Sequence, residues 1–231
     1  HVLLALPSVS RSQKSQIIQK ISVYGVKVLT LPTLSELAEG KLTINDLKEV
    51  QIEDLLTREI TRPNELLLNK NTRNQVVLVT GAGGSIGSEL CRQILKRNPS
   101  KLVLVEMSEV ALYQIETELT EYLVRSNASA VIVSRLCNVR DASSIDFIIS
   151  EEKPNTVYHA AAYKHVPMVE HNVVEGIRNN VMGTFFTARA AIDAGVKNFV
   201  LISTDKAVRP TNVMGATKRI AELYISCLSK E

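Results

Sequence analysis

The chain of 231 residues contains no tryptophan, and its other aromatic residues make up only 4% of it. So few rings argue against the stacked aromatic platforms that bind single-stranded nucleic acids. The net charge is only +3, and no run of five or six basic residues concentrates it. A basic tract for nucleic acid is therefore missing as well, and we expect no nucleic-acid partner.

Cysteine is also scarce, since Cys91, Cys137 and Cys227 lie far apart with no paired spacing. Such a set argues against a disulfide framework and a zinc site and is typical of a reducing compartment, so we expect no metal. No apolar stretch approaches the ~20 residues that a spanning helix needs, and no signal peptide is visible. The chain opens on an apolar stretch and stops in a helical pattern, so we interpret it as a fragment.

Residues 1–57 follow a strand, helix, strand order that is typical of the tail of a smaller α/β domain. We predict strands at 2–6 and 26–31, a helix from about residue 10, and short helical stretches at 35–38 and 52–56. Residues 58–74 are polar, contain Pro63 and four asparagines, and are interpreted as a linker.

Residues 75–231 alternate between short apolar strands and helices. The alternation predicts a doubly wound parallel sheet of the Rossmann type, in which ligands bind at the carboxyl ends of the strands. The predicted strands are 76–80, 102–106, 131–135, 156–159 and 199–203, and the predicted helices are 85–96, 109–124, 142–151, 169–194 and 213–229.

The first strand runs directly into a glycine-rich turn and a helix. Gly81 permits the tight turn, Gly84 lets backbone N–H groups approach a pyrophosphate, and Gly87 allows close packing of helix and strand. Ser85 and Ile86 begin the helix, whose N-terminus attracts anions. The order strand, glycine loop, helix therefore predicts a dinucleotide site.

The second strand ends at Glu106, 19 residues past Gly87. An acidic residue at this position accepts hydrogen bonds from the adenine ribose and repels a 2′-phosphate, so NAD is favoured over NADP. Asn138 and Val139 follow the third strand, and their position predicts that they border the adenine.

The loop after the fourth strand begins with Ala160, Ala161 and Ala162, three small residues that let a dinucleotide backbone lie close. Lys164 and His165 follow, and we predict that both point into the same cleft and bind substrate, with a solvated surface group as the alternative for each. Later in the chain, we predict a structural role for Asn179 and contact with substrate for Asn180.

The fifth strand leads into Thr204, Asp205 and Lys206. Met214 and Lys218 follow at i, i+4 spacing, which places both on one face of the next helix. A hydroxyl, a carboxylate and two amines at one place are more acid–base groups than simple hydride transfer requires.

Four motifs together resemble the extended short-chain dehydrogenase/reductase superfamily: TGAGGSIG at 80–87, HAAAYKHVP at 159–167, STDKA at 203–207 and ATK at 216–218. More narrowly, they resemble the polysaccharide-biosynthesis nucleotide-sugar 4,6-dehydratases of the CapD, WbpM and PglF type. Most of the superfamily has tyrosine four residues before the lysine, whereas this chain has Met214, as the large dehydratases do. A thioether cannot act as a base, so proton transfer passes to Thr204, Asp205 and Lys206.

The resemblance implies an internal redox reaction on UDP-N-acetylglucosamine, in which hydride leaves sugar C4, water is lost across C5 and C6, and hydride returns to C6. Asp205 and Lys206 would share removal of the C5 proton and protonation of the leaving hydroxyl, and the sequence leaves open which of them is the acid and which the base. Thr204 would bind the C4 hydroxyl, and Lys218 would hold the nicotinamide ribose. NAD would be regenerated and retained, and the product would be a 4-keto-6-deoxy sugar nucleotide for surface polysaccharide.

The resemblance further implies anchoring to the cytoplasmic face of the inner membrane through preceding helices, a further C-terminal substrate part, and a homo-oligomer paired through helices. Two other functions stay open. One is a nucleotide-sugar 4-epimerase or 4-reductase on the same fold, which would not need the Asp205–Lys206 pair. The other is a non-catalytic NAD-binding module, which Met214 would suit.

Overall fold

The computed structural model describes residues 2–4, 11–22, 24, 26, 28–30, 48–49, 64–126 and 128–229. The chain divides into two compact units, His1–Pro63 and Asn64–Glu231. The division lies inside the segment 58–74 that we predicted as a linker. Part of that segment forms a short helix, Glu65–Lys70. Asn64 caps this helix by accepting a hydrogen bond from the N–H of Leu67 at 3.2 Å.

The first unit contains a small sheet. Strand β1 (Val2–Leu4) pairs in parallel with β2 (Val28–Thr30), and α1 (Arg11–Ser22) connects them. A third strand, β3 (Lys48–Glu49), pairs antiparallel with β2 and was not predicted. The helical stretches predicted at 35–38 and 52–56 lie outside the described residues.

The second unit is built on a five-stranded, fully parallel sheet, which confirms the predicted Rossmann class. The last strand ends at Leu201, two residues earlier than predicted, so Ser203 lies in the following loop. The sheet has the order β6-β5-β4-β7-β8, with β4 (Val76–Thr80), β5 (Lys101–Glu106), β6 (Val131–Leu136), β7 (Thr156–His159) and β8 (Asn198–Leu201).

Helices flank and connect these strands, and four of the five predicted helices lie within two residues of their predicted bounds. The α-helices are α2 (Glu65–Lys70), α3 (Ser85–Leu95), α4 (Glu109–Ser126), α5 (Ala142–Glu152), α6 (Val166–His171), α7 (Val173–Ile177), α8 (Gly183–Asp193) and α9 (Val213–Leu228). A π-helix at Arg178–Met182 and a 3₁₀ turn at Asp205–Ala207 complete the unit.

The prediction of one helix over 169–194 is wrong. Asn172 has φ −134° and ψ 54°, outside the helical region, and its side-chain amide donates to the carbonyl oxygen of Met168 at 2.8 Å. Asparagine side chains compete with helical backbone bonds in this way. The segment is therefore divided into α6, α7, the π-helix and α8, and it begins three residues earlier than predicted.

The core lies on both faces of the sheet, as expected for a doubly wound fold. Alternate residues of β4 point to opposite faces: Val77 and Val79 pack with α3 and α4, whereas Leu78 packs with α5 and α8. All three side chains are completely buried. Burial on both faces explains why the strands are continuous apolar runs.

The order of the strands reverses beside β4. The chain moves outward from β4 through β5 to β6 and then crosses to β7, which pairs with β4 so that Thr80 stands opposite His159. The loops that follow these two residues consequently lie side by side. This is the place where doubly wound sheets bind ligands.

Candidate active site

The loop after β4 is so tight that glycine is required at two positions. Gly81 has φ +66°, and a Cβ there would lie 2.8 Å from the backbone nitrogen of Ala161. A Cβ on Gly87 would overlap the carbonyl oxygen of Gly81, whereas one on Gly84 would lie 3.2 Å from that oxygen. The loop is therefore a cradle of bare backbone, which suits close approach of a pyrophosphate.

The start of α3 adds positive charge to this cradle. Gly84 is the N-cap, and Ser85 and Ile86 are exposed on the wall of a cavity of 510 Å³. N–H groups of a first helical turn lack intrahelical acceptors and carry partial positive charge. Lys164 adds an ammonium group, since its Nζ donates to the hydroxyl of Ser85 at 3.1 Å. These groups together fit the diphosphate of a dinucleotide.

Glu106 ends β5 beside the cradle, and backbone N–H groups hold its carboxylate. Oε2 accepts from Gly83 at 3.0 Å, while Oε1 accepts from Met107 at 2.9 Å and from Ser108 at 3.1 Å. Glu106 lines a second cavity, of 260 Å³. A carboxylate accepts about four hydrogen bonds, so Glu106 keeps capacity for a ribose hydroxyl.

Val139 lines the second cavity, but Asn138 does not. The Oδ1 atom of Asn138 accepts from the backbone N–H of Arg140 at 3.0 Å, and Asn138 lines a separate, open depression. The structure therefore brings one residue of the predicted adenine border to this cavity and turns the other away. Asn179, for which we predicted a structural role, does line the cavity.

The alanines after β7 form the floor shared by the cavities. Ala160 and Ala162 line the two cavities described above and a third, of 410 Å³, while Ala161 lines only the second. Lys164 and His165 line the first and third cavities. Both predicted basic residues are thus at the cleft, and Lys164 lies beside the phosphate cradle.

Asn180 does not reach the cleft wall. Its side chain is completely buried, accepts from the N–H of Tyr163 at 2.8 Å, and donates to the carbonyl oxygen of Tyr163 and the hydroxyl of Thr217, each at 3.0 Å. Asn179 also donates to it at 3.1 Å. The side chain that we assigned to substrate is occupied in holding the β7 loop against α9.

Thr204, Asp205 and Lys206 form the turn after β8. The hydroxyl of Thr204 donates to Oδ1 of Asp205 at 2.9 Å, and Nζ of Lys206 lies 3.7 Å from the same oxygen. The bond from Thr204 and, second, the charge of Lys206 lower the pKa of Asp205. Thr204 and Lys206 line the third cavity, whereas the Asp205 side chain is 90% exposed and does not.

Met214 and Lys218 lie together on α9, as the i, i+4 spacing predicted, and both line the third cavity. Lys218 is 4% exposed, and its Nζ donates to the carbonyl oxygen of Ile202 at 2.6 Å. Burial lowers the pKa of Lys218 to about 8, while the charge of Glu222 opposes that shift. The ammonium is therefore held rigidly at the end of β8.

Several residues that shape the cleft were not predicted. Asn212 caps α9 by accepting from the N–H of Gly215 at 2.7 Å, and a Cβ on Gly215 would overlap the carbonyl oxygen of Lys206. Glu170 accepts from the N–H of Val213 at 2.7 Å. Asparagine directly before the helical pattern was a visible capping signal, whereas the contact with Glu170 spans 43 residues and has no local signal.

Within residues 64–126 and 128–229 and the shorter described segments, no group of three or more His, Cys, Asp or Glu side chains could hold a metal ion. No helix in the described part of the chain is both long and apolar enough to cross a bilayer.

The parallel sheet, the glycine cradle and the strand-end carboxylate define a Rossmann unit of the short-chain dehydrogenase/reductase type. Residues 77–231 match the family model described as polysaccharide biosynthesis protein. The chain belongs to that family.

Three known proteins show how far the similarity extends. The capsular polysaccharide biosynthesis protein CapD of Staphylococcus aureus is 42% identical over all 231 residues, which cover 38% of its length. A UDP-N-acetylglucosamine 4,6-dehydratase (inverting) of Campylobacter jejuni is 32% identical over 143 residues, which are 62% of this chain and 40% of that protein. The chain thus spans about two fifths of these curated relatives.

The third protein is a solved structure that shares the fold. It is a UDP-glucose 4-epimerase from Stenotrophomonas maltophila with bound NAD and formylated UDP-arabinopyranose, and it aligns with a TM-score of 0.56 at 22% identity. The alignment covers 67% of this chain and 48% of the epimerase. That neighbour binds NAD on the same kind of sheet.

Proposed function

We propose that this chain is the NAD-binding part of a UDP-N-acetylglucosamine 4,6-dehydratase that makes a 4-keto-6-deoxy sugar nucleotide for surface polysaccharide. One observation carries the proposal. The cavity beside the phosphate cradle is lined by Thr204, Lys206 and Lys218, with Met214 where most of the superfamily has tyrosine. The 32% identity to a dehydratase of that specificity supports the choice of substrate.

NAD, rather than NADP, is the proposed cofactor. Gly81, Gly84 and Gly87 would hold its diphosphate, Glu106 its adenine ribose, and Lys218 its nicotinamide ribose. The carboxylate of Glu106 would repel a 2′-phosphate, because three backbone hydrogen bonds keep it at the cavity. When bound, NAD would supply a hydride acceptor that later returns the hydride, so no external reductant is consumed.

The turn after β8 would move the protons. The hydrogen bond from Thr204 and the charge of Lys206 lower the pKa of Asp205, so its carboxylate is a weak base that would accept a proton only in transit and release it readily. A sugar hydroxyl bound at Thr204 could pass its proton through the hydroxyl of Thr204 to Oδ1 of Asp205, 2.9 Å away. Asp205 and Lys206 would then share removal of the C5 proton and protonation of the C6 hydroxyl, which leaves as water. A proton exchanged with solvent would return to C5 when the hydride returns to C6.

Lys218 would act by charge and position. Its ammonium is held by the carbonyl oxygen of Ile202, so it faces the cavity in one orientation. A fixed positive charge there favours oxygen atoms that gain negative charge as a ketone forms and enolises. Met214 next to it supplies no proton, which leaves proton transfer to the turn after β8.

The test is the product formed by the full-length protein from UDP-N-acetylglucosamine in deuterated water. We expect a mass loss of one water, a 4-keto carbon by NMR, and deuterium at C5. A product that keeps its C6 hydroxyl would refute dehydration.

A 4-epimerase or 4-reductase is the second candidate, because the fold also matches a UDP-glucose 4-epimerase. Such an enzyme would return hydride to C4, and the product would retain oxygen at C6. The same NMR spectrum separates the two activities. Release of unchanged substrate with NAD still bound would favour a non-catalytic NAD-binding module instead.

From the resemblance to the large nucleotide-sugar dehydratases, we propose that the full-length protein is anchored in the inner membrane with this part facing the cytoplasm. Protease treatment of intact spheroplasts should spare the catalytic part. Cleavage without lysis would contradict that orientation.

A further inference from the structure

His159 is a buried histidine that the proposed reaction does not use. It ends β7, is completely buried, and lies between β4 and α8. Its Nδ1 lies 2.8 Å from the hydroxyl of Thr80, and its Nε2 lies 3.1 Å from the hydroxyl of Thr184. Both ring nitrogens therefore have a partner, and those partners decide where the ring proton sits.

The two threonines define the tautomer. Thr184 donates its own proton to the carbonyl oxygen of Asn180 at 2.7 Å, so it accepts from Nε2–H of His159. Thr80 accepts from the N–H of Ala161 at 3.3 Å, which leaves its proton for Nδ1. The ring is consequently neutral and protonated on Nε2. Burial, which lowers the pKa of His159 to about 3, agrees with that state.

One end of this hydrogen-bonded chain holds the cofactor cradle. Thr80 is followed directly by Gly81, which packs against the backbone of Ala161 so closely that no Cβ would fit. Ala161 lines the cavity assigned to the adenine ribose. A displacement of Thr80 would therefore change the cleft where the β4 and β7 loops touch.

The other end holds the helix of Lys218. The carbonyl that accepts from Thr184 belongs to Asn180, in the π-helix Arg178–Met182. The side chain of Asn180 binds both backbone groups of Tyr163 and donates to Thr217, the residue before Lys218. Isolated π-turns inside α-helices are rare and frequently occur at functional sites.

We infer that His159, as the neutral Nε2–H tautomer, is a positioning residue that ties the phosphate cradle to the helix carrying Lys218. The inference rests on the proposed NAD-dependent function, because it assigns His159 the task of setting the distance between the cofactor and the charged end of α9. A ring that only filled space in the core would not need one particular tautomer, in which Nε2 donates and Nδ1 accepts.

Two threonines of α8 provide a matched test in the full-length protein. Thr184 and Thr187 are both buried, and each donates to the carbonyl oxygen four residues earlier at 2.7 Å, but only Thr184 contacts His159. Thr184→Val removes the bond with His159 as well as the bond to Asn180, and loss of the bond with His159 should weaken NAD binding about tenfold and lower kcat. Thr187→Val removes only the bond to the backbone and should leave both values unchanged. Equal effects of the two variants on NAD affinity and kcat would overturn the inference.

The ring itself provides a second test. A glutamine side chain can accept from one threonine and donate to the other, whereas phenylalanine can do neither. His159→Phe should weaken NAD binding and lower kcat, and His159→Gln should recover most of both. Failure of His159→Gln to do better than His159→Phe, with both variants folded by circular dichroism, would contradict the positioning role.

Nitrogen-15 NMR of the wild-type ring needs neither NAD nor a variant. We expect the neutral Nε2–H pattern at neutral pH, unchanged on acidification to about pH 5, where an exposed histidine is protonated. The Nδ1–H tautomer or a protonated ring would overturn the inference alone. If the wild type bound no NAD, the proposed function would fail, and the positioning role would fall with it, whatever the tautomer.

Discussion

The two ends of the cleft are built on different principles. At the end proposed to hold the cofactor, Gly81 and Gly87 bring backbone against backbone, and three N–H groups hold the carboxylate of Glu106. At the end proposed to hold the sugar, Asp205 is 90% exposed and Lys206 is 50% exposed, and both contact each other, while Asp205 also accepts from Thr204. The first end is a preformed cradle that tolerates little change. The second is a set of reactive groups that can be altered with little cost in stability.

The cofactor end should fail most completely. A Cβ on Gly87 would overlap the carbonyl oxygen of Gly81 and lie 2.7 Å from its carbonyl carbon, so Gly87→Ala must displace the cradle. We expect NAD binding to fall more than about 100-fold, since several hydrogen bonds to the diphosphate depend on that loop. Isothermal titration calorimetry measures this loss.

Gly195→Ala is the control for that variant. Gly195 has φ +70°, but no atom lies within 4 Å of the position that a Cβ would take, so alanine strains the backbone without a clash. It should cost about 1 kcal/mol of stability and leave NAD binding intact. If both alanines weakened NAD binding equally, steric exclusion at the cradle would be the wrong explanation.

The sugar end should lose chemistry without losing the fold. Asp205→Asn removes the proposed proton acceptor, and general acid–base groups contribute roughly 10²–10⁴-fold, so kcat should fall by that range. The melting temperature and the amount of bound NAD should stay unchanged, because the side chain is exposed. Full turnover by the variant would show that Asp205 has no such role.

Glu106 tests whether the cradle also selects the cofactor. Glu106→Gln places an NH₂ group opposite at least one backbone N–H, so we expect about tenfold weaker NAD binding and a smaller preference over NADP. The ratio of the two dissociation constants is the measurement. Glu109→Gln, at an exposed position of α4, should change neither value. An unaltered ratio in Glu106→Gln would show that this carboxylate does not set the preference for NAD over NADP.

Between pH 7 and pH 6, acid should produce the smallest effect, through His159. Its pKa is about 6.5 in the unfolded chain and about 3 in the folded one, so the unfolded state binds the proton first as pH falls. Stability is then lost below about pH 6.5, by up to about 1.4 kcal/mol per pH unit until about pH 3. Urea unfolding should show a shallower acid slope for His159→Gln than for the wild type. The exposed His171→Gln should keep the wild-type slope.

Much of the sheet could be predicted because its signals are local. The strands at 76–80 and 156–159 match the structure completely, since short apolar runs bounded by glycine or polar residues read the same way in isolation. The helix over 169–194 could not be predicted correctly. Its pattern is helical throughout, whereas the structure interrupts it at Asn172, whose side chain bonds the carbonyl of Met168, and at the π-helix Arg178–Met182.

The site divides in the same way. Met214 and Lys218 reach the cleft as their spacing predicted, because one helix places both. Asn138 and Asn180 were assigned to ligands, but the structure turns one to Arg140 and buries the other against Tyr163 and Thr217. An asparagine side chain can bond to any donor or acceptor near it in the fold. Those partners can lie far away along the sequence, so the residues next to the asparagine do not reveal them.

The sequence by itself determined the form of the glycine cradle, because a strand, three spaced glycines and a helix form such a cradle whatever surrounds them. Only the tertiary structure decided what supports that cradle. The hydroxyl of Thr80 is hydrogen-bonded to His159, which lies 79 residues away in the sequence, and His159 is hydrogen-bonded to Thr184, 25 residues away. A buried hydrogen bond depends on where its two groups lie in three dimensions. The donor and acceptor in each bond between Thr80, His159 and Thr184 are therefore fixed only when β4, β7 and α8 pack together.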